Sequence, residues 1–372
     1  MFLSPLRGLA AAAALAALSA PALAEMTVTD TIGREVTVPD AASRIVLGFY
    51  YEDFMAVAGP GGFDRVAALS RAPWEGWRSL QWATYVEAMP QIAALPDVGH
   101  TSDGTFSLEA VLAAAPDLVL LAAWQYEALG EVADRIEDAG VPVVVLNYNA
   151  QTVEKHVEST QLLGRILGQE DRAARLAAEY EAAVSDVLSR LKDIPETARK
   201  RVYVELGRKG AEVHDNSYSG TQWGAVLDQL GADNIANGQI ESWGPLSAEY
   251  VLSRDPQAIL FAGSGWTGQD QAILMGPGVD PALTHARMRP YLTRPGWDGL
   301  EAVKTGDVFA VYHGGNRTLY DYAFLQFLAK ALHPEVYGDL DPQGTLDRFF
   351  ETWMPVKFDG TYFTRLPSGE TG

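Results

Sequence analysis

At 372 residues, 48% of them hydrophobic and 20% charged, the chain has enough apolar side chain for large cores, and two domains is the natural expectation. A formal net charge of −20 argues against nucleic acid and anionic membrane as partners. The absence of cysteine excludes disulfides, thiolate metal sites and cysteine nucleophiles.

The N-terminus departs from this average composition. Arg7 precedes an apolar run, Leu9 to Leu18, and then Ser19-Ala20-Pro21-Ala22-Leu23-Ala24. That order reads as a secretory signal peptide over residues 1–24, cleaved after Ala24. The run is too short for a permanent membrane span, and no Cys offers a lipid anchor. Loss of Arg7 with the leader takes the charge from −20 to −21. The expected product is a soluble periplasmic monomer.

Val28, Ile32, Val36 and Val38 alternate with polar neighbours around Gly33-Arg34, a hairpin pattern. Arg44 to Gly48 reads as a buried strand that runs into Phe49-Tyr50-Tyr51-Glu52-Asp53, with helix to Ala58. Val66 to Leu69 is the next short strand, then a Trp-rich stretch with Trp74, Trp77 and Trp82, then a strand at Pro96 to His100. Ser107 is the expected N-cap of a helix to Ala115. Asp117 to Leu121 is a continuous apolar run suited to a parallel sheet. A helix over Leu129 to Ala139 and a strand over Val141 to Leu146 complete a βαβα order.

Thr152 to Asp193 reads as a helix, a break at Gly168 and a second, long helix. There Ala173, Leu176, Ala177, Tyr180, Val184, Val187, Leu188 and Leu191 share one stripe. At about 1.5 Å per residue it spans roughly 35–40 Å, enough to join two domains. The alternation then restarts. Strands are expected at Arg201 to Leu206, Pro256 to Phe261 and Val308 to Tyr312. Helices are expected at Gly220 to Leu230, Ser247 to Ser253, Thr318 to Leu332 and Thr345 to Trp353. The fold class is therefore α/β: two doubly wound lobes, residues 25–150 and 196–372, joined by connecting helices over 151–195, with a ligand cleft between the lobes.

Several segments together resemble the substrate-binding proteins of ABC importers, in the class that carries iron–siderophore, haem and cobalamin. They are Thr31-Ile32-Gly33-Arg34-Glu35-Val36-Thr37-Val38-Pro39, Ser107-Leu108-Glu109-Ala110-Val111-Leu112, and the copy-like Ser247-Ala248-Glu249-Tyr250-Val251-Leu252. The resemblance implies a two-lobed fold around a long helix. It also implies that Glu109 and Glu249, one per lobe, dock arginine pockets on the membrane permease.

In doubly wound sheets a ligand lies beyond the carboxyl ends of the strands. In the first lobe those loops carry Tyr50, Tyr51, Trp74, Trp77, His100, Trp124 and Tyr126; in the second, Arg208, Tyr218, Trp223, Trp243, Trp266, Tyr312 and Arg317. Six of the nine tryptophans fall there, and rings with a few cations suit a bulky anionic iron chelate. Adjacent Tyr50 and Tyr51 face opposite ways on an extended loop, so one of them at most is expected in the cleft. Glu52, Glu205 and His313, with the tyrosines, offer the oxygen and nitrogen groups a bare ferric ion would take. The expected ligand is a ferric chelate or ferric iron, then haem, then a corrinoid, with no resident cofactor.

Signals for an enzyme are weak. Gly263-x-Gly265-x-x-Gly268 follows a strand, but no amphipathic helix begins there. Ser189 and Lys192 have nucleophile-pair spacing but lie on the long helix, and no Gly-x-Ser-x-Gly elbow occurs. An exported hydrolase is the alternative from another class.

Overall fold

The computed structural model describes residues 25–266 and 268–367. The expected signal peptide, residues 1–24, lies outside them. Strands β1 (Glu25–Thr29) and β2 (Glu35–Pro39) form the antiparallel hairpin, with Val28 opposite Val36. Asp30 sets the turn. Its carboxylate accepts the backbone N–H groups of Ile32 and Arg34 and pairs with the Arg34 guanidinium at 2.9 Å.

The first sheet is parallel, in the order β4-β3-β5-β6, from β3 (Ile45–Leu47), β4 (Val66–Leu69), β5 (Leu118–Ala122) and β6 (Val143–Leu146). Every residue of β5 and β6 is buried, which is why these strands read as unbroken apolar runs. Helices α1 (Tyr51–Ala58), α2 (Ser79–Ala88), α3 (Leu108–Ala113), α4 (Ala123–Leu129) and α5 (Glu131–Asp138) accompany it. Two local expectations change. The strand at Pro96 to His100 reduces to one bridge, between Leu69 and Asp97, because Pro96 has no N–H to donate and Gly99 turns away at φ 78°. The helix over Leu129 to Ala139 is cut at Gly130, at φ 48°, into the end of α4 and α5.

The lobes are joined by α6 (Val153–Leu167) and the long α7 (Glu170–Arg190), 21 residues and about 31 Å. Thr152 caps α6 by accepting the Lys155 N–H, and Gly168 ends it in the left-handed region. The helices touch where Gly164 meets Ala173: a Cβ on Gly164 would stand 2.2 Å from the Ala173 methyl. The stripe on α7 is buried from Ala173 to Val187, and Leu188 is half-buried. Both lobes grip α7. Arg172 donates to Ala56 O on α1 and to Trp353 O, while Glu179 accepts from Tyr322 and the Trp353 indole.

The second sheet comprises β7 (Arg201–Leu206), β9 (Asp233–Asn234), β11 (Ala258–Gly263), β12 (Val308–Tyr312) and β13 (Phe363–Arg365), in the order β13-β12-β11-β7-β9. All pairs are parallel except β12 with β13. Strands β8 (Asn216–Tyr218) and β10 (Trp243–Pro245) form a separate antiparallel ribbon. Helices α8 (Gln222–Gln229), α9 (Ala248–Arg254), α10 (Pro281–Met288), α11 (Glu301–Thr305), α12 (Asp321–Leu332), α13 (Pro334–Tyr337) and α14 (Pro342–Trp353) complete the lobe. The two sheets share no strand, and the molecule is two α/β lobes around a long helix.

Candidate functional site

Helix α1 enters the lobe interface directly after β3. All eight of its residues are buried, Glu52 and Asp53 included. Both stand in the first turn, at the positive end of the helix dipole. Glu52 accepts the hydroxyls of Tyr85 at 2.7 Å and of Tyr320 at 2.6 Å. Asp53 accepts the backbone N–H of Leu319 at 2.7 Å. Burial pushes both carboxyls up, Asp53 to about 8. The second lobe therefore closes on two carboxyl groups of the first. Other bonds cross the same seam: Ser79 Oγ to Gly265 O at 2.6 Å, and the Gln151 amide to Gln222 O and Asn316 O.

Beside this seam a cavity of about 560 Å³ opens between the lobes. Its first-lobe wall is Gly76, Trp77 and Arg78, from the turn before α2. The second-lobe wall lies past the carboxyl ends of β7, β11 and β12, at Leu206, Ser264 and His313, where a doubly wound sheet places its ligand. Arg78, Arg208 and Arg317 line it, and among the described residues no aspartate or glutamate does. A chain with net charge −20 thus carries a cationic pocket. Burial and the neighbouring Arg78 bring the Arg317 guanidinium down to about 10. His313 stacks on Tyr218 at 5.8 Å, and burial with the nearby arginines holds its imidazole well below the usual value.

Of the residues singled out from sequence, Trp77, Arg208, Tyr218, Trp243, Trp266, His313 and Arg317 come together here. The others lie elsewhere. Tyr50 is buried, with its hydroxyl on Asn149 Oδ1. Tyr51 is buried too, donating to Ser70 O and stacked on Trp74 at 4.5 Å. Neither tyrosine lines the cavity, because the segment is helical from Tyr51 onward rather than an extended loop. Trp74 and Trp223 are fully buried, Trp223 against Phe324. Trp124 packs on Phe49 and on buried His100. Tyr126 lies under the Arg34 guanidinium by the hairpin. Tyr312 is buried beneath Gly276 and Gly314.

The three metal-ligand candidates do not meet. Glu52 is taken by two phenols, and Glu205 by Arg294 at 2.6 and 2.9 Å with the Tyr203 hydroxyl and the Asp215 N–H. Among the described residues no group of three His, Cys, Asp or Glu side chains could hold a metal ion. Sequence reasoning missed Arg78, Asn216 and Gln222. Arg78 stood in plain view between Trp77 and Ser79, where the aromatic run drew attention away from the cation.

Glu109 and Glu249 are exposed on opposite lobes in matching settings. Ser107 and Ser247 cap α3 and α9 by accepting the N–H groups of Ala110 and Tyr250, each at 3.2 Å. A backbone N–H and the Ser107 hydroxyl hold the Glu109 carboxyl below its usual range. Gly263-x-Gly265-x-x-Gly268 ends β11 without starting a helix, since the next one, α10, begins at Pro281.

Two lobes on separate sheets, a long helix between them and a cavity at their seam define a solute-binding protein. The sequence profile of the periplasmic binding protein family matches residues 61–312, and the chain belongs to that family. It serves ABC import and is not an enzyme. The molybdate-binding protein MolA of Haemophilus influenzae is 24% identical over 379 residues, 95% of this chain and 97% of that protein. The vitamin B12-binding protein of Pectobacterium atrosepticum is 26% identical over 160 residues, 42% of this chain and 55% of its own length. Among solved structures, the TroA-like periplasmic binding protein FepB of Veillonella parvula superposes with a TM-score of 0.87 at 30% identity, covering 92% of this chain and 99% of that one. The molybdate-bound form of the Haemophilus protein shares the fold, with a TM-score of 0.69 at 19% identity over 90% of this chain and 99% of that one.

Proposed function

We propose that the protein, exported by cleavage after Ala24, captures a ferric siderophore-type chelate in the cavity and delivers it to an ABC permease through Glu109 and Glu249. The observation that carries this reading is the cavity: about 560 Å³, rimmed by indoles, with arginines and, among the described residues, no carboxylate in its wall. Its volume falls in the range that encloses a whole small molecule. Its side chains would recognise the outside of a chelate, whereas a bare ferric ion needs a cluster of oxygen ligands. Glu109 and Glu249 suit a permease because each carboxylate is exposed in the first turn of a capped helix, where it can take a bidentate arginine.

A second reading is an oxyanion, favoured by the molybdate-binding relative and by the same arginines. A five-atom anion would leave most of the cavity to water, roughly 30 Å³ per molecule. Trp77, Trp243 and Trp266 make fluorescence titration the direct test. A ferric chelate, haemin, cobalamin and molybdate are titrated in turn. Saturable quenching by the chelate at micromolar concentration or below is expected, and saturation by molybdate alone overturns the reading. The double variant Glu109→Ala with Glu249→Ala is expected to bind normally while uptake in cells stops; unchanged uptake refutes the docking role.

A further inference from the structure

A second, far smaller cavity, about 10 Å³, lies where the connecting helices meet the second lobe, with Gln151, Tyr180, Trp223, Asn316 and Asp321 in its wall. Asn316 belongs to the turn His313–Arg317, and Trp223 to the first turn of α8. Both side chains are fully buried. Neither amide atom of Asn316, nor the indole Nε1 of Trp223, has a hydrogen-bond partner among the described residues. Asp321 takes the Tyr180 hydroxyl and keeps further acceptor sites. Gln151 closes another side. Its backbone stands in the left-handed region at φ 54°, as does that of Gln222 at φ 50°, a costly conformation for a residue with a side chain. Hydrogen bonds hold Gln151 there: its amide donates to Gln222 O at 3.1 Å and to Asn316 O at 2.9 Å, and its own carbonyl accepts the Gln229 amide at 2.6 Å. The chain thus enters the second lobe through a strained residue, beside a small space on which two unpartnered polar side chains converge.

We infer that this space is a binding site for one internal water, which accepts the Trp223 indole N–H, bonds the Asn316 amide and donates to Asp321, and so fastens the His313–Arg317 turn to α8 and α12 at the joint with the connecting helices. The size and the donor set carry the assignment. About 10 Å³ is one water-sized sphere, and a polar space of that size with two to four partners holds a water, whereas dry cavities are apolar. Anything organic is too large. A cation would meet the N–H donors of Trp223 and Asn316, and an anion would meet the Asp321 carboxyl; water alone both accepts and donates. Buried amides and indoles left unpaired are costly, and ordered water is a common partner for them. The site stands apart from the ligand cavity, and the assignment holds whatever solute the protein carries.

A high-resolution crystal structure of the mature protein decides the matter. One density peak is expected at about 2.7–3.2 Å from Trp223 Nε1, an Asn316 amide atom and an Asp321 oxygen. An empty space between ordered walls overturns the inference, and so does an anomalous peak there in crystals soaked in bromide, which would make the occupant a halide. Nuclear magnetic resonance on protein with isotope-labelled tryptophan gives a second measurement in solution. The indole proton of Trp223, assigned by its loss in Trp223→Phe, is expected to show cross-relaxation with a long-lived water. Asn316→Leu keeps the shape of the side chain without its polar atoms and is expected to lose both the density peak and the cross-relaxation, whereas Asn316→Asp keeps an acceptor and is expected to retain them. A folded Asn316→Leu protein that retains both signals overturns the part given to Asn316. Should that variant fail to fold, the wild-type density and the Trp223 signal decide, and the lack of either overturns the site.

Discussion

Glu52 and Glu205 are both buried carboxylates at the carboxyl end of a sheet, yet the two lobes treat them differently. Glu205 is closed within its own lobe by Arg294, at 2.6 and 2.9 Å. Glu52 has no cation within bridging distance among the described residues and is shared by Tyr85 of its own lobe and Tyr320 of the other. An ion pair is costly to break because the survivor is left as an unpaired buried charge. A carboxyl held by phenols, and pushed toward its neutral form by burial, can be exposed with less loss. The second lobe has an ion-paired floor, whereas at Glu52 the two lobes are tied through phenol hydrogen bonds.

The widest test of that contrast is Glu205→Ala, which strands Arg294. It is expected to cost about 3–5 kcal/mol in chemical denaturation. Glu52→Ala strands two hydroxyls instead and is expected to cost about 1–3 kcal/mol. A loss at Glu52 as large as that at Glu205 would erase the distinction. Glu52→Gln keeps an acceptor for a phenol and is expected to change stability by less than about 1 kcal/mol.

Asp53 sharpens the comparison through pH. Burial lifts its carboxyl from 3.8 to about 8, with Glu52 adding to the rise and Arg78 opposing it. Between those values the folded protein keeps a proton that the unfolded chain has lost. Stability from this group is therefore full in acid and falls as pH rises toward 8. Asp53→Asn is expected to flatten the difference in melting temperature between pH 5 and pH 8. An unchanged pH profile would show that the buried carboxyl is not carrying the proton.

Much of this was legible in the chain. The apolar run at Leu118 to Leu121 could only be a strand covered on both faces, and the stripe on α7 declared its buried side. Trp243, Trp266 and Arg317, expected in loops at the strand ends, line the cavity. What sequence could not show was where the backbone changes period. Tyr50 and Tyr51 were read on an extended loop, but α1 begins at Tyr51, and both rings turn into the core. Pairing across distance was equally hidden: Arg294 is 89 residues from Glu205, and no local pattern marks it as the partner. Strand β13 is three residues of edge, joined antiparallel to β12, too short to announce itself.

The bonds from Leu319 and Tyr320 to α1 span 266 and 268 residues. Synthesis runs from the N-terminus, so α1 exists long before the groups that complete it. Until Tyr320 has arrived, two acids are left inside a helix made to be covered. A chain cut short before that point carries a defect at its very beginning.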